Sequence, residues 1–191
     1  MTSDTDQNVR KLAAILSTDV KGYSRLMGND EMATVETIIR YRKFICEIVE
    51  VNHGRVVDSP GDNLLAEFAS AVDALDCAVA IQEKLTLENL SLEDHRRMEF
   101  RIGINVGDVI SRDERLYGDG VNIAARLEGL SDAGGICISG TVYDQVHNKT
   151  GLALEFIGAR QVKNIAAPIR AYKVLLSQGT ERMNGVLTQQ A

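Results

Sequence analysis

A tight hairpin flanked by two helical stripes constrains this chain more than any other feature. Residues 55–58 and 63–68 are apolar-rich runs joined by Ser59-Pro60-Gly61. Proline presets φ there and glycine tolerates the positive φ that reverses the chain. Before the hairpin, Val35, Ile38, Ile39, Ile45, Ile48 and Val49 recur at helical spacing over residues 30–51, and the pattern stops near His53-Gly54. After it, Ser70-Ala71-Val72-Asp73 has capping-box character, and Ala71, Ala74, Leu75, Ala78, Val79 and Leu85 form a second buried stripe. Strand-like runs at 11–18 and 98–106 bracket the whole. The order β-α-β-β-α-β predicts an α+β fold with a ferredoxin-like βαββαβ core and helices on one face of the sheet. Residues 88–97 read as a loop, 108–116 as a further hairpin and 121–130 as a third helix ending before Gly134-Gly135. Runs at 136–139, 154–158 and 171–176 add a C-terminal strand extension.

With 191 residues, 45% of them hydrophobic, the chain is long enough to bury one real core. Two prolines and no Gly/Ser-rich stretch leave no linker to divide it. Residues 1–10 and 177–191 are polar and aperiodic, so they read as disordered tails around a domain at 11–176, and a sensor or output region could extend the protein beyond them. The formal charge of −6 and the lack of a sustained basic stripe argue against nucleic acid as a partner. An anionic substrate would need cations placed locally. Cys46, Cys77 and Cys137 lie in apolar surroundings without C-x-x-C spacing, as expected of reduced thiols in a cytoplasmic protein. No run approaches bilayer-spanning length, so no membrane segment is expected in this stretch.

Two aspartates have matching settings. Asp19 closes LAAILSTD before Val20-Lys21-Gly22-Tyr23, and Asp62 follows the hairpin glycine. If the two strands are neighbours the carboxylates converge, and divalent cations would relieve their repulsion. An aspartate at a strand end is more often a turn former or a cap. Here both stand near glycine, which lets a phosphate approach backbone N–H groups. A third cassette, YGDGVNIAARLE, sets Asn122 and Arg126 four apart on one helix face. Such a pair can be structural, or it can meet a developing charge. No Walker P-loop occurs, and Ile123 occupies the third-glycine place of a dinucleotide fingerprint.

Taken in order, STDVKGYS, SPGDNLLAEF, FRIGINVG, YGDGVNIAARLE and VKNIAAPIRAYKV resemble the catalytic domain of class III nucleotide cyclases, over residues 11 to about 175. The resemblance implies a class III nucleotidyl cyclase fold and two magnesium or manganese ions per active site, held by Asp19, Asp62 and the Val20 carbonyl. It implies attack of the ribose 3′-hydroxyl on the α-phosphorus, with pyrophosphate leaving. Asn122 and Arg126 match the family's transition-state residues, and Arg101 and Lys163 match its phosphate-binding cations. The resemblance also implies substrate-binding positions at Gly22 and Tyr23. The metal aspartates and the Asn/Arg helix come from opposite subunits in that family, so a homodimer is implied.

Where the family reads the base, the sequence departs from it. Adenylyl cyclases of the usual kind carry a lysine and an aspartate where this chain has Asp58 and Arg115. The charges are exchanged. By hydrogen-bond logic Asp58 accepts from guanine N1 and N2 while Arg115 donates to O6, unless the two pair with each other across the interface or a register slip brings Glu114 to the pocket. ATP is kept as the expected substrate on family grounds, with GTP as the alternative. Other readings are a nucleotide-binding regulatory module without turnover, and a different two-metal enzyme such as a diguanylate cyclase. Against the last, no GGDEF-type sequence occurs. Removing Asp19 or Asp62 is expected to leave the fold intact by relieving repulsion.

Overall fold

The computed structural model describes residues 9–113, 115–161, 165 and 167–176. The elements run β1 (Val9–Val20), α1 (Tyr23–Asn29), α2 (Glu31–Val51), β2 (Arg55–Asp58), β3 (Leu64–Phe68), α3 (Ala71–Asn89), β4 (Phe100–Arg112), β5 (Arg115–Tyr117), α4 (Asp119–Leu130), β6 (Ile136–Ser139), α5 (Gly140–Val146), β7 (Ala153–Arg160) and β8 (Ile169–Leu175). A short 3-10 turn, Asp94–Arg96, interrupts the segment expected to be a loop. Local chemistry starts the helices. Asp30 accepts from the Ala33 N–H at 3.0 Å to cap α2, and Ser70 accepts from the Asp73 N–H at 3.3 Å to cap α3.

The sheet order is β2-β3-β1-β4-β6-β8-β7, with β5 paired to the end of β4. β1 is antiparallel to both β3 and β4, so the first four long strands have the ferredoxin-like arrangement that the hairpin and stripes predict. The remaining strands extend it beyond β4, where β6 runs parallel.

Three readings need correction. First, the strand at 98–106 and the first arm of the 108–116 hairpin are one strand, because β4 continues through Gly107 opposite Ala13, and the hairpin forms where Ile110–Arg112 pairs with Arg115–Tyr117. That glycine lies within the ladder rather than at a turn, and a Cβ there would come 3.3 Å from Asn105 Nδ2. The reversal comes later, between Arg112 and its partner Arg115, with Asp113 at φ 48. Second, α1 and α5 were not expected; each has seven residues, too few to show a period. Third, the helices occupy both faces. Helices α2, α3 and α5 bury Ile38, Ile45, Leu75, Ile81, Val142 and Val146 in the main core with Leu16, Ile102 and Ile104, whereas Ala124 of α4 packs on Ala13, Ile15 and Val109. Strand alternation sends neighbouring residues of β1 and β4 to opposite sides.

Among the described residues no helix is long and apolar enough to cross a membrane.

Candidate functional site

The α4 face of β1 and β4 collects polar groups toward one end. Asp19 lies directly opposite Arg101 in the β1–β4 register. The two meet through both carboxylate oxygens, Arg101 Nε donating to Oδ1 at 2.9 Å and Nη2 donating to Oδ2. Both side chains are more than four-fifths buried. The hydrogen bond to Asp19 raises the Arg101 pKa, burial opposes it, and the charges of Asp19, Glu128 and Asp62 add to the rise. Asp62 arrives from the β2–β3 turn, which the Asn63 N–H closes on the Pro60 carbonyl at 3.0 Å with Gly61 at φ 60. Its Oδ2 accepts from the Val20 N–H at 3.4 Å, tying the turn to the end of β1. The two aspartates are thus brought together.

Because Asp19 is already paired, one expectation changes. Truncating it would ease its repulsion of Glu128 but leave the mostly buried Arg101 guanidinium without its carboxylate, a destabilising change.

Glu128 was not anticipated as part of this cluster. It lies on the buried side of α4 and accepts from the Ser17 hydroxyl at 2.6 Å. Burial pushes its carboxyl up to about 7, the Ser17 bond opposes that, and the neighbouring Asp19 charge adds to it. The sequence held a signal for it, since Ala124 and Glu128 are four apart and share the buried stripe. A second unforeseen residue is Arg42 of α2. Its Nη1 donates to the Gly61 carbonyl at 2.8 Å, and its Nη2 donates to the carbonyl and hydroxyl of Ser59.

The other predicted residues divide. Asn122 and Arg126 are exposed on α4 and, among the described residues, make no side-chain hydrogen bond. Gly22 is exposed at φ 73 ahead of α1, while Tyr23 is half-buried against the main core, so its ring serves packing. Asp58 is exposed, its Oδ1 accepting from the Ser59 N–H at 2.8 Å. Arg115 is exposed on β5, and β5 touches β2 within the same protomer. β2 and β5, which carry Asp58 and Arg115, thus approach each other within one chain. Lys163 and Glu114 lie outside the described residues.

A cleft of about 580 Å³ opens on the far side of the α4 start, lined by Asn105, Asp108, Tyr117, Ile123, Thr141 and Arg170 among others. Neither Asp19 nor Asp62 lines it. Asp19 is mostly buried and Asp62 half-buried.

Asp19, Asp62 and the Val20 backbone offer only oxygen donors, which suits a hard cation such as magnesium or manganese. Among the described residues no group of three His, Cys, Asp or Glu side chains is set to hold a metal. Two carboxylates suffice for an ion that completes its shell with water and substrate phosphates.

A converging carboxylate pair thus stands at the end of β1 on an extended ferredoxin-like sheet. The chain belongs to the adenylate and guanylate cyclase catalytic domain family, whose model matches residues 6–176. It is 42% identical over 164 residues to "Putative adenylate cyclase 3" of Rhizobium meliloti, a match that covers 85% of this chain and 28% of that protein. Among solved structures it is similar to an adenylate/guanylate cyclase/hydrolase from Silicibacter pomeroyi, with a TM-score of 0.83, 36% identity, and coverage of 89% of this chain and 99% of the other. The adenylyl cyclase CyaB of P. aeruginosa shares the fold at a TM-score of 0.78 and 22% identity, covering 91% of this chain and 98% of its own.

Proposed function

We propose that this domain converts a purine nucleoside triphosphate, with ATP as the leading substrate, to a 3′,5′-cyclic nucleotide and pyrophosphate at the interface of a homodimer. One observation carries the reading: Asp19 and Asp62 converge at the end of β1 while Asn122 and Arg126 of the same chain are exposed and uncommitted. Each half looks for its complement on a second copy. Two divalent ions, magnesium or manganese, held by Asp19, Asp62 and the Val20 carbonyl, would activate the ribose 3′-hydroxyl and neutralise the triphosphate.

The chain's own residues supply the rest. Asn122 orients the ribose, and Arg126 counters the charge that grows on the α-phosphoryl oxygens; losing either costs on the order of 10²–10³ in rate. Arg101 holds Asp19 in the structure, and to bind terminal phosphates its fork exchanges carboxylate oxygens for phosphate oxygens of matching geometry. Lys163 joins it. The buried Cys77 and Cys137 thiols, pushed up to about 12 and about 11 by burial, are unreactive and suit a reducing, cytoplasmic setting.

A second reading, GTP as substrate, is favoured by Asp58. Its carboxylate is exposed beside β5, where it can accept from guanine N1 and N2 and cannot donate to adenine N1.

The test is product formation from Mn-ATP and Mn-GTP by the purified domain, followed by mixing an Asp19→Asn chain with an Asn122→Ala chain. Recovery of activity on mixing is expected. Heterodimers that form yet stay inactive would overturn the shared site.

A further inference from the structure

The turn that carries Asp62 has little to hold it in place. The β2–β3 ladder shifts register between Val56 and Asp58 and ends with Asp58 opposite Leu65, so residues 59–63 project beyond the paired strands. Within the turn there is the Asn63 to Pro60 hydrogen bond. Glycine at φ 60 leaves the loop easy to reshape. Two contacts from outside fix it: the Val20 N–H on Asp62 itself, and the Arg42 guanidinium on the backbone before it.

The Arg42 contact is bidentate. Nη1 takes the Gly61 carbonyl at 2.8 Å while Nη2 takes the carbonyl and hydroxyl of Ser59, so one planar group spans the turn on both sides of Pro60. The base of the side chain is equally fixed, because Arg42 lies between Tyr41 and Ile45 of α2, both wholly buried. A rigid helix thus reaches across 17 to 19 residues of sequence to set the backbone one residue ahead of a carboxylate.

Resting on the cyclase reading of Asp62, we infer that Arg42 is a positioning residue for the divalent-cation site: through Ser59 and Gly61 it holds the turn so that the Asp62 carboxylate stays beside Asp19. It touches neither substrate nor cation. A lysine keeps the charge but cannot bridge both carbonyls with a planar fork. Residues that orient a metal ligand typically change metal affinity about 10–100-fold when removed.

The experiment compares wild type, Arg42→Met, Arg42→Lys and Ser59→Ala in two measurements. One is Mn²⁺ binding to the nucleotide-free protein, followed by electron paramagnetic resonance of the free ion. The other is the Mn²⁺ concentration giving half-maximal formation of cyclic product. Arg42→Met should weaken binding and raise the half-maximal Mn²⁺ about 10-fold or more, with the rate largely recovered at saturating Mn²⁺. Arg42→Lys should fall between it and wild type, and Ser59→Ala should change least because both backbone contacts remain. If Arg42→Met fails to fold, the Lys and Ala variants decide by the same ordering. A folded Arg42 variant with unchanged Mn²⁺ affinity and a lowered rate at saturation overturns the inference while leaving the cyclase reading intact. Absence of both Mn²⁺ binding and cyclic product in the wild type overturns both together.

Discussion

The two faces of the central sheet are built on different principles, although they share the same strands. On the α2–α3–α5 side, Leu16, Ile102, Ile104 and Ile138 meet helix side chains in a continuous apolar core. On the α4 side, the residues one step along the same strands are Ser17, Asp19, Arg101, Gly103 and Asn105, with Glu67 on β3. One face is packed for stability. The other keeps buried polar groups, each of which requires a partner to offset its lost hydration. Glu67 has Lys11 and Arg55, Asp19 has Arg101, Glu128 has Ser17, and Asn105 donates to the Gly120 carbonyl at 3.1 Å. The buried charges lie on the α4 side, whereas the opposite side buries amides, Gln82 donating to the Phe100 and Gly135 carbonyls and Asn89 to the Met98 carbonyl.

Substitutions on the two faces should therefore separate activity from stability. The largest effect is expected from Asp62→Asn, which keeps the side-chain shape and should lower cyclic-product formation on the order of 10²–10³-fold, with the thermal midpoint nearly unchanged. A stability loss with intact turnover would reverse the roles assigned to the faces. Ile45→Ala, on the apolar side, should do the opposite and cost about 2–5 kcal/mol in urea unfolding, while folded protein retains its rate per molecule.

Gly103→Ala should affect both properties. A Cβ at Gly103 would come within 2.2 Å of the Ala124 carbonyl and the Glu128 nitrogen, so α4 would have to shift. The expected cost is about 1–3 kcal/mol, accompanied by a fall in activity, because Asn122 and Arg126 move with the helix. Unchanged activity would mean that the helix position is not critical.

The smallest effect should come from pH. Burial raises the Glu67 pKa, but hydrogen bonds from Lys11 and Arg55 outweigh it and hold the carboxyl below its ordinary value of 4.5. Its folded value lies below its unfolded one, so its stabilisation is fully present above about 4.5 and lost as pH falls through the folded value. Glu67→Gln should flatten the acid limb of a urea-midpoint against pH profile. An unaltered limb would show that the triad contributes nothing to acid sensitivity.

What could be read from the sequence was local or periodic. The Ser59-Pro60-Gly61 turn, the Ser70 cap and the Ile38–Ile45–Val49 stripe depend on neighbours within a few residues, and they define the ferredoxin-like core. The run LAAILSTD also sufficed to nominate Asp19 as a carboxylate at a strand end. Arg42 with Ser59 and Ser17 with Glu128 were invisible, because each pair meets only after the chain has folded. A helical stripe reveals that α4 buries one side but not which face of the sheet receives it. The 98–106 and 108–116 runs were separated although β4 passes through Gly107 without a break, because a glycine within a strand gives no local sign of whether pairing continues.

At Gly103 the helix bearing Asn122 and Arg126 rests backbone upon backbone against β4, with no side chain between to act as a bearing. A domain so seated has little freedom to tune catalysis by sliding that helix over its own sheet. In the homodimer proposed above, control arriving from elsewhere would instead turn whole protomers about one another, so that output follows the angle between two rigid halves.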